Sequence, residues 1–393
     1  MTKITLDPKE KAYLTALRRD FHQHPELGLQ EFRTAGRIEE ELDRVGIPHT
    51  RVGQTGVLGT LRGAAAGTGA VVLRADIDAL PIQETAETDY RSQTPGVMHA
   101  CGHDAHTACL LGAARLLSRH REDFGGEVRF VFQPAEEIGK GALDFVEAGV
   151  LRGADRVFGL HVAPELPVGT VGLKPGLNNA AVDHFRITVQ GRSAHVATPQ
   201  LGADALYIAS HTVVALQALV TRLTSPVEPV IIGVGTLNAG TAYNAVAASA
   251  VLQGTTRTIS QESRQRVREQ IERTARNIAD TYGGAVEVEW TGVTPPLIND
   301  PRACREAAAA AQAMGEDLRV ITDRELSLCG DNFAEYLLHI PGAYAYLGSG
   351  NPALPNTEHS IHSADFDLDE DALALGAEFS AACALWVLTN QTL

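Results

Sequence analysis

Apolar and polar positions fall into two regimes along this chain. Residues 8–45 carry a helical pattern broken by Pro25, and three short apolar runs then appear at 70–76 (AVVLRAD), 127–132 (EVRFVF) and 156–161 (RVFGLH). Helical patterns from about 107 to 120 and from 141 to 148 separate the runs. Strands alternating with helices predict an α/β domain with a largely parallel sheet. From about residue 182 the regime changes. Segments 183–190, 230–237, 251–258 and 285–290 read as strands, with long helical stretches at 203–223 and 262–282. In the second helix Val267, Ile271, Ala275 and Ile278 recur at helical spacing. The order β-α-β-β-α-β is the ferredoxin-like arrangement. After Pro295-Pro296 the first regime resumes, with a helix at 301–314, a strand at 343–347 and a final helix at 369–388. The expected fold is therefore two-domain α/β. A sheet domain (1–181 and 293–393) carries an inserted ferredoxin-like α+β domain (182–292).

Composition narrows the class. The 393 residues are 44% hydrophobic, enough for a sizeable core, and the formal net charge is −15. Acidic residues are spread along the chain, an arrangement that favours solubility and argues against a nucleic-acid or anionic-membrane partner. The start, MTKITLDPKEKAYL, lacks the apolar run of a secretory signal, and no stretch reads as the ~18 apolar residues of a membrane helix. Five cysteines (Cys101, Cys109, Cys304, Cys329 and Cys383), an odd number without a Cys-x-x-Cys pair, argue against a disulfide framework. A reducing, cytoplasmic setting is expected.

The chemistry gathers at predicted strand ends, where open α/β sheets bind ligands. The first strand runs into Asp76-Ile77-Asp78; if it stays extended, the two carboxylates share a side and repel unless a cation or imidazole lies between them. Next comes His99-Ala100-Cys101-Gly102-His103-Asp104-Ala105-His106, a density of thiol and imidazole suited to zinc and related borderline ions. The third strand ends in Gln133-Pro134-Ala135-Glu136-Glu137. One of these carboxylates can bind metal while the other serves as general base towards a water that the metal activates. The fourth strand ends in His161. No His-Glu-x-x-His, Gly-x-Ser-x-Gly, Gly-x-x-x-x-Gly-Lys or complete Gly-x-Gly-x-x-Gly occurs. That lowers the odds of a serine hydrolase, a nucleotide enzyme or a dehydrogenase.

At these residues the sequence resembles the metallo-aminoacylase and carboxypeptidase family. The likeness is to its branch of hippurate hydrolases, indole-acetyl-amino-acid hydrolases and N-acetyl-diaminopimelate deacetylases. The matching segments are 18–28 (RRDFHQHPELG), 73–81 (LRADIDALP), 101–107 (CGHDAHT), 133–137 (QPAEE), His161, 191–195 (GRSAH) and the loop around His362. They run in order over nearly the whole chain. The resemblance implies a two-metal catalytic domain with an inserted lid and dimerisation domain. It implies metal ligands Cys101, His103, Glu137, His161 and His362, with Glu136 as general base. His362 rests on the resemblance alone. It also implies Asp78 beside a ligand, Asp104 and His106 in the same role or one of them on a metal, and a bridging ligand, for which Cys101 is the candidate. His195 would stabilise the oxyanion and Asn244 would help bind substrate, while His22 and His24 read as structural. Four positions depart from the branch pattern: Gln200, Ala247, and Asp331 and Asn332 in Asp331-Asn332-Phe333, where Glu-Asp-Phe is usual. None is an expected ligand, so they bear on the substrate more than on the chemistry.

The expected activity is metal-dependent hydrolysis of the amide bond of a small N-acyl amino acid, using two divalent ions. Zinc and manganese are the first choices, with cobalt or nickel as further options. A dipeptidase or carboxypeptidase on the same metals is the close alternative. A binding protein on a degenerate enzyme fold and a purely structural zinc site are the remote ones. The lid implies a homodimer.

Overall fold

The computed structural model describes residues 4–315 and 318–390. Residues 1–3, 316, 317 and 391–393, which the sequence reading placed in the N-terminal stretch and the sheet domain, lie outside the described residues. The chain divides into two compact units. The first comprises residues up to Asn178, Ile298–Glu325 and those from Asn332 on; the second comprises Asn179–Leu297 and Leu326–Asp331.

The first unit opens with the helix Pro8–Gln23. The Asp7 carboxylate accepts from the Lys9 and Glu10 N–H groups, Glu10 returns a bond to the Asp7 N–H, and Pro8 has no N–H to lose there. The helix stops short of Pro25, and a second one covers Phe32–Arg44. An eight-stranded sheet follows. Across it the order is His49–Val52, Gly56–Arg62, Glu127–Gln133, Ala70–Asp76, Arg156–Pro167, Gly342–Gly350, Thr170–Gly172 and Arg319–Ile321. The four central strands are mutually parallel. The flanking strands Gly56–Arg62 and Thr170–Gly172 run antiparallel to their central neighbours, so the sheet is mixed.

Helix His103–Arg119 packs into the core through Leu110, Leu116 and Leu117, and helix Asp371–Thr389 through Ala377, Phe379 and Leu385. Each of these leucines and the phenylalanine contributes on the order of 1.5–3 kcal/mol on burial. Entry into the first of these helices needs a glycine. Gly102 has φ +83, and a Cβ there would meet Val162 Cγ2 at 2.4 Å. The Cys101–His103 turn can therefore press against the strand that carries His161.

In the second unit the sheet order is Ala285–Thr294, Ala181–Gln190, Ser249–Thr258 and Ile231–Ala239, antiparallel throughout. Helices Ala205–Leu223 and Gln261–Thr281 cover one face, burying Phe185, Ile187, Leu252, Val267, Ile271 and Ala275 between the layers. This is the ferredoxin-like order expected from the alternation of periods. The unit also takes in 326–331, a stretch that its local pattern did not mark. Asn179 pairs with Ser327, the Arg257 guanidinium donates to the Leu328 carbonyl, and the Thr294 hydroxyl donates to that of Asp331.

One sequence expectation needs correction. Two helices do reach the length and apolar character of a membrane span, Ala205–Leu223 and Asp371–Thr389. The second is a core helix, 83% buried over its most apolar window, which explains its composition.

Candidate metal centre

Two of the parallel strands, the start of helix His103–Arg119 and the loop around His362 bring the expected ligands to one place. Cys101 Sγ lies 3.4 Å from His161 Nε2. His161 donates from Nδ1 to the Val162 carbonyl at 2.7 Å, which leaves the Nε2 lone pair facing the thiol. Burial, reinforced by the neighbouring His106, lowers the pKa of His161 to about 3, so the ring is neutral and ready to ligate. His103 directs Nδ1 at Asp78 Oδ1, 3.2 Å away. Its Nε2 is buried without a hydrogen-bond partner among the described residues, as is Glu137 Oε1. These two orphaned atoms lie 3.8 Å apart, and His362 Nε2 is 3.4 Å from the same Glu137 oxygen.

Four ligand groups emerge, Cys101–His103–His161, Cys101–Glu137–His362, Asp76–His103–His106 and His103–Glu136–Glu137, each with its ligand atoms within 4.8 Å of one another. Cys101 is common to the first two. Burial and the Glu137 carboxylate push the Cys101 thiol well above its usual range. Burial alone would lower His103, but Asp76, Cys101 and Asp78 outweigh it and raise that group. Protein charges alone therefore leave protons where a cation would sit, and buried donor atoms with nothing to bind. A thiolate, imidazoles and a carboxylate fit borderline divalent ions.

The remaining polar groups orient this set. Asp78, 1% exposed, accepts the Glu137 N–H through Oδ2 at 3.0 Å while facing His103 through Oδ1. It thus fixes two ligands at once. Asp76 lies geometrically near His103 and His106, yet its carboxylate is already engaged. Arg74 Nη1 donates to Oδ2 at 2.6 Å, and His106 Nδ1 lies 2.6 Å from Oδ1. The second ring nitrogen of His106 accepts the Val162 N–H at 2.9 Å, so Nδ1 is the protonated one and neither nitrogen is left for a metal. The His103 ring lies between the two carboxylates of the Asp-Ile-Asp motif, its Nε2 3.8 Å from Asp76 Oδ2. Asp104 faces elsewhere: its Oδ2 takes Arg18 Nε at 2.7 Å and His22 Nδ1 at 2.8 Å. His24 Nδ1 donates to the Asp20 carbonyl.

Both adjacent glutamates reach the cluster, each with a carboxylate oxygen within 4.8 Å of the other's and of a His103 nitrogen, after a tight turn at the strand end. Ala135 takes a left-handed φ of 58°, its N–H held by buried Glu31 at 2.9 Å, and the turn 136–138 follows. Glu137 also joins Cys101 and His362, while Glu136 Oε1 accepts the Asn332 N–H at 3.0 Å. His362 is also left-handed, φ 66°, with its N–H on the Ala100 carbonyl at 2.7 Å. Such strain in non-glycine residues gathers at functional sites. Sequence reasoning missed Arg74, Glu31 and Asn332. Only Asn332 left a signal, as a departure from the family pattern.

His195 and Asn244 belong to the second unit, on adjoining segments: His195 bridges to Ala245, and the Val196 N–H donates to the Asn244 carbonyl at 3.2 Å. His195 is exposed. Its Nδ1 accepts the Ala197 N–H at 3.0 Å, so the neutral ring carries its proton on Nε2 and offers a donor.

Residues 72–385 match the peptidase family M20/M25/M40. The chain is 39% identical to the N-acetylcysteine deacetylase of Bacillus subtilis (strain 168), covering 96% of this chain and 98% of the relative. It is 35% identical to thermostable carboxypeptidase 2 of Saccharolobus solfataricus, over 98% of each. Among solved structures, a dinuclear metal-binding peptidase of the M20 family from Bacillus subtilis superposes with a TM-score of 0.83. It is 37% identical and is covered to 99%, over 98% of this chain.

Proposed function

This chain belongs to peptidase family M20/M25/M40 and is a metal-dependent amide hydrolase, and from that premise we propose that it releases amino acids from their small N-acyl derivatives. The observation that carries the reading is the convergence of Cys101, His103, Glu137, His161 and His362 beside a second carboxylate, Glu136, one of whose oxygens takes the Asn332 N–H. Two divalent ions, zinc or manganese, would be held by those five residues. When bound, the ions supply Lewis-acid polarisation of the amide carbonyl and make water acidic enough to lose a proton near neutrality. Asp78 keeps His103 and Glu137 in register. Glu136 accepts the proton of the attacking water and returns it to the leaving amine nitrogen. The Nε2–H of His195 is the donor for the oxyanion that develops on the substrate carbonyl.

The relative named N-acetylcysteine deacetylase favours an acyl amino acid, and the one named carboxypeptidase keeps a peptide substrate as the second reading. Primary-amine release from N-acetyl and N-benzoyl amino acids, assayed beside dipeptides, separates them. Higher kcat/KM on the acyl amino acids supports the first; higher kcat/KM on dipeptides moves the chain to the peptidases.

Replacing His195 by Ala should lower kcat by about 10²–10³-fold, the usual effect of losing one oxyanion donor. Metal content should not change, because the residue ligates nothing. Turnover equal to wild type would remove His195 from the mechanism.

The second unit is proposed to serve as lid and dimerisation domain. Its edge strand Ile231–Ala239 (IIGVGTLNA) has no charged residue and exposes Ile231 and Leu237, and the neighbouring helix exposes Leu206 and Val214. An uncharged edge of this kind pairs readily with another chain. Sedimentation at micromolar concentration should give a dimer, and Leu237→Lys should shift it towards monomer. A monomeric wild type would end this part of the proposal.

A further inference from the structure

Asn332 stands where the family pattern has an aspartate, and position alone suggested an effect on substrate choice. Its surroundings point elsewhere. The residue is 1% exposed, and its amide is fully engaged. Oδ1 accepts from Arg74 Nη2 at 2.9 Å and from Gln133 Nε2 at 2.8 Å, while Nδ2 donates to the Lys140 carbonyl at 2.7 Å. The amide orientation is forced, since two donors face one end and a carbonyl faces the other. The backbone N–H meanwhile donates to Glu136 Oε1 at 3.0 Å. The Lys140 N–H closes back on the Ala135 carbonyl at 2.9 Å. One buried residue therefore holds the Glu136 carboxylate and also the far end of the loop 135–140 that bears it.

The hold extends further. Arg74, 3% exposed, also donates to Gln133 Oε1 at 3.0 Å and to Asp76 Oδ2 at 2.6 Å, and the Tyr336 hydroxyl donates to the same Gln133 oxygen. Asp76 leads through His106 to the Val162 N–H, the residue after His161. The base and a ligand-bearing strand thus hang on one buried network with Asn332 at the end nearest the base.

We propose that Asn332 is the positioning residue for the Glu136 carboxylate, acting on turnover and not on substrate recognition; this rests on the reading of Glu136 as the base. The amide is needed in this chain. A carboxylate in its place would still pair with Arg74, but its second oxygen would face the Lys140 carbonyl at the present 2.7 Å, acceptor against acceptor. The loop would have to move, and the Glu136 carboxylate with it.

Steady-state kinetics and metal analysis on Asn332→Ala and Asn332→Asp test this. Both should lose kcat, by about 10²-fold on the scale set by a displaced catalytic group, with KM and metal stoichiometry near wild type. In a Glu136→Gln background the same substitutions should cost little more, because they act through the group already disabled. Wild-type kcat in both variants, or an equal fold loss with and without Glu136, overturns the proposal. Turnover undiminished in Glu136→Gln alone would instead overturn the base reading. A crystal structure of Asn332→Asp decides independently of any substrate. Displacement of the Glu136 carboxylate supports the proposal, and an unmoved carboxylate overturns it.

Discussion

Glu136→Gln should retain the wild-type complement of metal and lose about 10²–10⁴-fold in kcat, the range that general acid–base catalysis contributes. Glutamine keeps the volume of the side chain and an oxygen that can accept the Asn332 N–H, so the loop has no reason to move. It has no site for a proton taken from water. The proposed metal ligand of the pair is Glu137, whose N–H is held by Asp78 and whose Oε1 faces His103 and His362. Glu137→Gln should reverse the pattern, lowering metal occupancy first and activity as a consequence. Metal content from elemental analysis, beside kcat on one substrate, separates the two residues. If Glu136→Gln turns over at the wild-type rate, the base is another group.

Cys101→Ala should have the second large effect, on both ions together. Its sulfur belongs to both the Cys101–His103–His161 and the Cys101–Glu137–His362 groups, so its removal takes a donor from each. The variant should bind fewer than two equivalents of zinc or manganese and fall to background activity. The pH dependence of loading follows from the same thiol. Burial and Glu137 raise its pKa, so the proton must leave for the metal to enter. Affinity should therefore strengthen as pH rises and weaken as it falls, with proton release on binding measurable by calorimetry in buffers of different ionisation enthalpy. Two tightly held equivalents in Cys101→Ala would show that the thiol is not a ligand.

How much of this could be read from sequence depends on the distance over which each feature is encoded. Runs 70–76, 127–132 and 156–161 are apolar almost throughout because the central strands are buried, and each stops at a polar group that the sheet edge exposes to the site. That made the Glu136–Glu137 pair and His161 stand out as candidates from local pattern, as the density of thiol and imidazole at 99–106 did for Cys101 and His103, while the choice of Glu137 over Glu136 came from the resemblance. The final role of Asp76 was not legible. Its partners Arg74 and His106 lie on a strand and a helix that meet only in the fold, and without them it looks like a ligand. Glu31 and Asn332 act on the turn after Gln133 from positions roughly a hundred and two hundred residues away, beyond any periodicity. Strands such as Thr170–Gly172 and Arg319–Ile321 are too short to show a period of two. Segment 326–331 joins the second unit through bonds to its carbonyls, which carry no side-chain signature.

The central claim is that hydrolysis depends on two ions in one cluster, and a titration tests it most directly. Protein stripped by a chelator is reloaded stepwise with zinc or manganese while amine release from an N-acetyl amino acid is followed. The account predicts no release from the stripped protein and a plateau at two equivalents per chain. Release that persists in the metal-free protein would contradict it.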